Sequence, residues 1–128
     1  MIYLDSSALL AQLLAEDRHP RAELWAETLV SSRLLEYEVW NRINSLGLAK
    51  SHRAAVEAAT GRLAFLELNR HVLTRATEPF PKPVRTLDAL HLASMDFLRA
   101  RGQRIELASY DHRLNAAAQD LDFALYPL

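Results

Sequence analysis

Two short apolar runs in this chain each stop at an aspartate and give way to a helical pattern. That repeated signature constrains the fold more than any other feature. Ile2-Tyr3-Leu4 ends at Asp5-Ser6-Ser7, after which Leu9, Leu10, Leu13 and Leu14 recur at helical spacing. Ile105 to Ser109 reads as a strand that runs through Tyr110 to Asp111, with a helix over 112–119 beyond it. Short strands alternating with helices predict an α/β fold: a parallel sheet covered on both faces. Sites in such sheets form at the carboxyl ends of the strands. Asp5 and Asp111 therefore belong on one sheet edge, although most of the chain lies between them.

The intervening segments fit this scheme. His19-Pro20 breaks the first helix, and a second helix is expected over roughly 20–30, with Leu29-Val30-Ser31-Ser32 as a short strand. Leu34, Leu35, Val39, Ile43 and Leu46 form an apolar helical stripe that ends at Gly47. An amphipathic helix is expected over 51–66, and Leu66-Glu67-Leu68 as a strand. Pro79, Pro81 and Pro83 predict a loop through much of 69–85. Thr86 to Arg101 reads as a strongly apolar helix closed by Gly102, and Phe123 to Tyr126 as a last strand.

With 128 residues, no internal repeat and no linker, one domain over 1–128 is expected. Half the residues are hydrophobic and only three are glycine, which suits a packed core and excludes a disordered chain. No apolar run approaches the roughly 20 residues needed to cross a bilayer, so no membrane association is expected. The first residues lack the pattern of a signal peptide. The absence of cysteine excludes disulfides and thiolate zinc sites, and fits a cytoplasmic protein.

Two further acids stand out by position. Glu38 lies within the inward stripe of its helix, four residues after Leu34 and beside Val39, whereas Glu36 lies opposite. Asp88 sits in the first turn of a helix, Thr86-Leu87-Asp88-Ala89-Leu90-His91-Leu92-Ala93, that is apolar or small on almost every side. Each acid has a plainer reading: Asp5 and Asp111 as helix caps, Glu38 as half of a structural ion pair with arginine, Asp88 as a partner of the helix dipole. Together they are harder to dismiss, because buried carboxylates need partners and one divalent cation satisfies several. Mg2+ binds through a few carboxylates while keeping waters and phosphate oxygens. Such ions support in-line displacement at phosphorus without a nucleophilic side chain.

His91 reads as a hydrogen-bonded buried imidazole, since hard cations prefer oxygen, and Asp96 as a solvated surface acid. No glycine-rich phosphate loop and no Ser-His-Asp signature is present. The net charge of −1 does not by itself suggest a nucleic-acid partner, although an acidic metal site subtracts charge locally. Arg85 and Arg113 are candidate phosphate contacts, with surface charge as the alternative.

These residues resemble the PIN-domain ribonucleases, and among them the VapC-type toxins of toxin–antitoxin pairs. Met1-Ile2-Tyr3-Leu4-Asp5-Ser6-Ser7-Ala8-Leu9 is similar to the family's first strand and first acid. Ser31 to Val39 resembles its second block, whose acid maps onto Glu38 and not Glu36. Leu87-Asp88-Ala89-Leu90-His91-Leu92-Ala93 and Ser109-Tyr110-Asp111-His112-Arg113-Leu114 resemble the third and fourth. The resemblance implies a three-layer α/β/α domain around a central, mainly parallel sheet of four to five short strands. It implies a Mg2+ or Mn2+ site of Asp5, Glu38, Asp88 and Asp111, with Ser6 steadying a carboxylate or a metal-bound water. It further implies endonucleolytic cleavage of RNA, a homodimer, and a cognate antitoxin. The alternatives are a PIN-like module that binds RNA or protein without cutting, a phosphoryl-transfer enzyme that uses Asp5 as nucleophile, and a nuclease directed at DNA.

Overall fold

The computed structural model describes residues 1–128 and contains five strands and six α-helices. In chain order these are β1 (Ile2–Leu4), α1 (Ser6–Leu13), β2 (Leu29–Ser32), α2 (Leu34–Ser45), α3 (Ala49–Thr60), β3 (Ala64–Leu66), α4 (Arg70–Thr77), α5 (Thr86–Ala100), β4 (Glu106–Ala108), α6 (His112–Asp120) and β5 (Ala124–Leu125). The strands form one sheet in the order β3-β2-β1-β4-β5, with every pairing parallel. Strand β1 lies in the middle, and the order reverses between β1 and β4. Such a switch point opens a crevice at the carboxyl ends of the two strands.

Alternation along the strands builds the three layers. Ile2 and Leu4 face a core that contains Leu9 of α1, Leu35, Val39 and Ile43 of α2, and Val56 of α3. Tyr3 and Leu107 face the opposite core, with Leu92 and Met95 of α5 and Leu114 and Ala118 of α6. Period-two alternation within a three-residue strand thus divides the apolar residues between two helical layers. Tyr3, Leu4, Leu35, Val39, Leu92 and Leu107 are fully buried. No helix is long and apolar enough to cross a membrane.

Several boundaries differ from those expected. The segment 20–30 is not an α-helix: Ala22–Ala26 forms a 3-10 turn, while Leu29–Ser32 forms the strand expected there. Within Ala22–Ala26 only Leu24 is buried, and Leu29 pairs with Ile2. The loop expected over 69–85 contains helix α4. Its start is set by Asn69, whose side chain accepts from the Val72 amide at 3.0 Å, and the prolines begin only after its end. The third helix stops at Thr60 and β3 begins at Ala64, two residues before the expected strand. Asp96 is not a free surface acid. Arg75 Nε and Arg99 Nη2 donate to its carboxylate at 2.8 and 2.9 Å, and the Arg75 bond ties α4 to α5. Their charge overcomes the opposing effect of burial and lowers the Asp96 pKa. Gly47 and Gly102 have φ of +70° and +85°, the left-handed conformation that ends α2 and α5.

Candidate active site

All four acids singled out in the sequence sit on segments at the carboxyl edge of the sheet. Asp5 follows β1, and its amide extends the pairing by donating to Ala108 O at 3.0 Å. Asp111 follows β4 by three residues, Glu38 lies on the second turn of α2, and Asp88 on the first turn of α5. An open cavity of about 420 Å³ is lined by Glu38, Asp88 and Asp111 together with Arg85, Thr86, Leu87 and Arg113. A larger cleft of about 670 Å³ lies between α4 and α5, but it is mainly apolar and contains none of the four acids.

Asp5 is buried, and its hydrogen bonds are one-sided. Its Oδ2 accepts from Ser7 Oγ at 2.6 Å, Ser109 Oγ at 2.8 Å and the Ser7 amide at 3.3 Å, while Oδ1 accepts none. Each serine hydroxyl is itself anchored. Ser7 Oγ accepts from the Tyr110 amide at 3.0 Å, and Ser109 Oγ from the Asp111 amide at 2.9 Å. The turn after β1 and the turn after β4 are thereby laced together through one carboxylate oxygen. The contact expected of Ser6 is made by Ser7, because Asp5 caps α1 and a capping aspartate reaches the residue two positions on. No hydrogen bond joins Ser6 to a carboxylate.

Asp111 shows the same division. Its Oδ1 accepts from the Arg113 and Leu114 amides at 2.9 and 3.2 Å and caps α6, which leaves Oδ2 free. The cap and ligand readings of Asp5 and Asp111 are therefore compatible, since capping occupies one oxygen and spares the other.

Glu38 pairs with His91, not with an arginine. His91 Nε2 donates to Glu38 Oε1 at 2.6 Å, and Oε2 stays free. His91 is buried at 1 % exposure, and its Nδ1 meets the Tyr3 hydroxyl at 2.7 Å. Burial opposes a charged imidazole, but Tyr3, the Glu38 hydrogen bond and the charges of Glu38 and Asp5 together hold the His91 pKa well above 6.5. Ligand atoms of Asp5, Glu38 and His91 lie within 4.8 Å of one another, close enough to surround one metal ion.

Asp88 is half-buried and makes no side-chain hydrogen bond. Burial, followed by the charges of Asp111 and Asp5, pushes its pKa up despite His91 and Arg85 nearby. No lysine or arginine forms an ion pair with Asp5, Glu38, Asp88 or Asp111. Repelling carboxylates, each with an oxygen left without a donor, make a donor set suited to a hard divalent cation. Tyr3, Ser7 and Ser109 were not legible as parts of this site, although Ser7 and Ser109 each stand two residues from one of its aspartates.

Comparison with known proteins bears on the family and the fold. The model of the PIN domain family matches residues 2–120. Ribonuclease VapC46 of Mycobacterium tuberculosis is 35% identical, with 97% of this chain and 95% of that protein covered. Ribonuclease VapC35 of the same organism is 29% identical, covering 98% and 95%. Among solved structures, Mycobacterium tuberculosis VapC20, described as a toxin that cleaves the sarcin–ricin loop, superposes with a TM-score of 0.68 at 21% identity, covering 91% of this chain and 95% of that one. A toxin–antitoxin complex from Klebsiella pneumoniae gives 0.65 at 15% identity, covering 94% of each.

Proposed function

The chain belongs to the PIN domain family, and from that premise we propose that it is a metal-dependent endoribonuclease, the toxin of a toxin–antitoxin pair. The observation that carries this reading is the state of the four acids. They come from four distant segments, keep oxygens free of hydrogen bonds, and have no lysine or arginine as ion-pair partner.

A Mg2+ or Mn2+ ion held there would supply an activated water and charge stabilisation for in-line displacement at phosphorus. Asp5 and Asp88 are assigned as direct ligands, and Glu38 and Asp111 bind directly or through water. Ser7 and Ser109 hold Asp5 Oδ2, so that Oδ1 is presented in one orientation. Arg85 and Arg113 line the same cavity and hold phosphate oxygens of the RNA, which offsets the negative charge that the acids present to it. No serine, cysteine or histidine nucleophile is needed.

Residues 1–128 act in this account as a single nuclease domain in the cytoplasm. The antitoxin partner is supported by the structural likeness to a chain of a toxin–antitoxin complex. A homodimer is expected on the family resemblance. The test is a map of new RNA 5′ ends in bacterial cells after brief induction of the wild type or Asp88→Asn. Discrete ends with the wild type alone support the reading. Identical maps from two folded proteins reject it for the RNAs of that host.

A further inference from the structure

We propose that His91 is a positioning residue of the metal site, which holds Glu38 so that Oε2 is aimed at the cation, and that Tyr3 fixes the plane of the His91 ring. The inference rests on the reading of the carboxylates as a metal site and assigns work to two residues that carry no negative charge. Four groups form a line through the protein. The Ser32 amide donates to the Tyr3 hydroxyl at 3.2 Å, that hydroxyl meets His91 Nδ1 at 2.7 Å, and His91 Nε2 donates to Glu38 Oε1 at 2.6 Å. Tyr3 is fully buried in the central strand and Ser32 ends the neighbouring one, so the far end of the line is fixed by the sheet. The two rings meet edge to face, with centroids 5.7 Å apart and planes at 80°.

The energetic logic follows from the donor count. Glu38 has no arginine or lysine partner, and its side chain has three rotatable bonds. Without His91 its carboxylate is free to rotate toward solvent, since 18% of the side chain is exposed. A ring fixed at both nitrogens removes that freedom before the cation arrives, so less ordering is needed on binding. Both ring nitrogens are engaged, which makes the imidazole a holder of Glu38 and not an open ligand. The short spacing of Asp5, Glu38 and His91 is then a consequence of the support and not a three-ligand site.

The experiment measures Mn2+ affinity by electron paramagnetic resonance on the intact chain, comparing wild type, His91→Phe, Tyr3→Phe, Glu38→Gln and the double variant His91→Phe/Glu38→Gln. Circular dichroism confirms that each variant is folded. Partners of this kind typically change metal affinity about 10–100-fold, so His91→Phe is expected to weaken Mn2+ binding within that range and Tyr3→Phe by a smaller factor. The double variant is expected to bind no more weakly than Glu38→Gln alone, because His91 acts through Glu38. If His91→Phe does not fold, Tyr3→Phe carries the test. Undiminished affinity in the folded variants overturns the proposal, as do additive losses in the double variant. A nitrogen coupling from His91 on bound Mn2+ also overturns it, because the residue is then a ligand. A wild type that binds Mn2+ but cuts no RNA rejects the nuclease reading and leaves the positioning role standing.

Discussion

Ser109 donates a hydrogen bond to Oδ2 of Asp5 at 2.8 Å and so joins two residues 104 positions apart in the chain. Its oxygen also accepts the Asp111 amide. Ser109→Ala deletes both bonds and strands a part-buried N–H, a loss of about 1–3 kcal/mol. The expected outcome is a Tm lower by several degrees together with weaker Mn2+ binding, because Asp5 loses one of its two hydroxyl anchors. Thermal denaturation with and without Mn2+ checks this, and an unchanged Tm contradicts the role given to the serine.

Asp88 has the opposite energetic sign. Its carboxyl pKa is raised in the fold by burial and by Asp111 and Asp5, so at neutral pH its charge costs stability in the absence of metal. Asp88→Asn is therefore expected to hold or raise the metal-free Tm, to lose the increase in Tm that Mn2+ gives the wild type, and to lower RNA cleavage by orders of magnitude. Paired melting curves decide it. A clear fall in the metal-free Tm means that Asp88 is a structural residue.

The gathering of the four acids at one sheet edge was more legible in the sequence than the details of the fold around them. Glu38 and Asp88 betray themselves because an acid on an apolar helical face breaks a periodic pattern, and the strand-to-helix junctions mark Asp5 and Asp111. Helix α4 was hidden by composition: its prolines lie just beyond Thr77, and its partner Asp96 looked like an ordinary exposed acid until the tertiary fold placed Arg75 against it. Segment 20–30 differs because Ala22–Ala26 buries only Leu24 and forms a 3-10 turn before the expected strand begins at Leu29. The choice of Ser7 over Ser6 depends on the direction of a capping turn, which residue type alone does not reveal.

The Asp96 pair predicts a signature at acid pH. Its pKa is lowered below 3.8 because the Arg75 and Arg99 hydrogen bonds outweigh burial. A depressed folded-state pKa gives stability that is present above the unfolded value and lost as pH falls through the folded one. Asp96→Asn should lower the urea midpoint at pH 7, and that difference should shrink as the pH falls below 3.8. A difference that stays constant as the pH falls below that value contradicts the ion-pair account.

Arg85 and Arg113 are exposed and line the acidic cavity. If they hold RNA phosphates that do not react, Arg85→Ala and Arg113→Ala raise KM with little change in kcat. Each should also lessen the salt sensitivity of binding, since fewer counterions are released. Steady-state cleavage at two ionic strengths measures both effects. An unaltered KM assigns the residue to surface charge.

The central claim is most directly tested by incubating purified wild type and Asp88→Asn with a single-stranded RNA in EDTA, in Mg2+ and in Mn2+, and resolving the products on a gel. The account predicts discrete fragments from the wild type with either metal, none in EDTA, and none from the variant. Equal cleavage by both proteins, or cleavage that persists in EDTA, contradicts it.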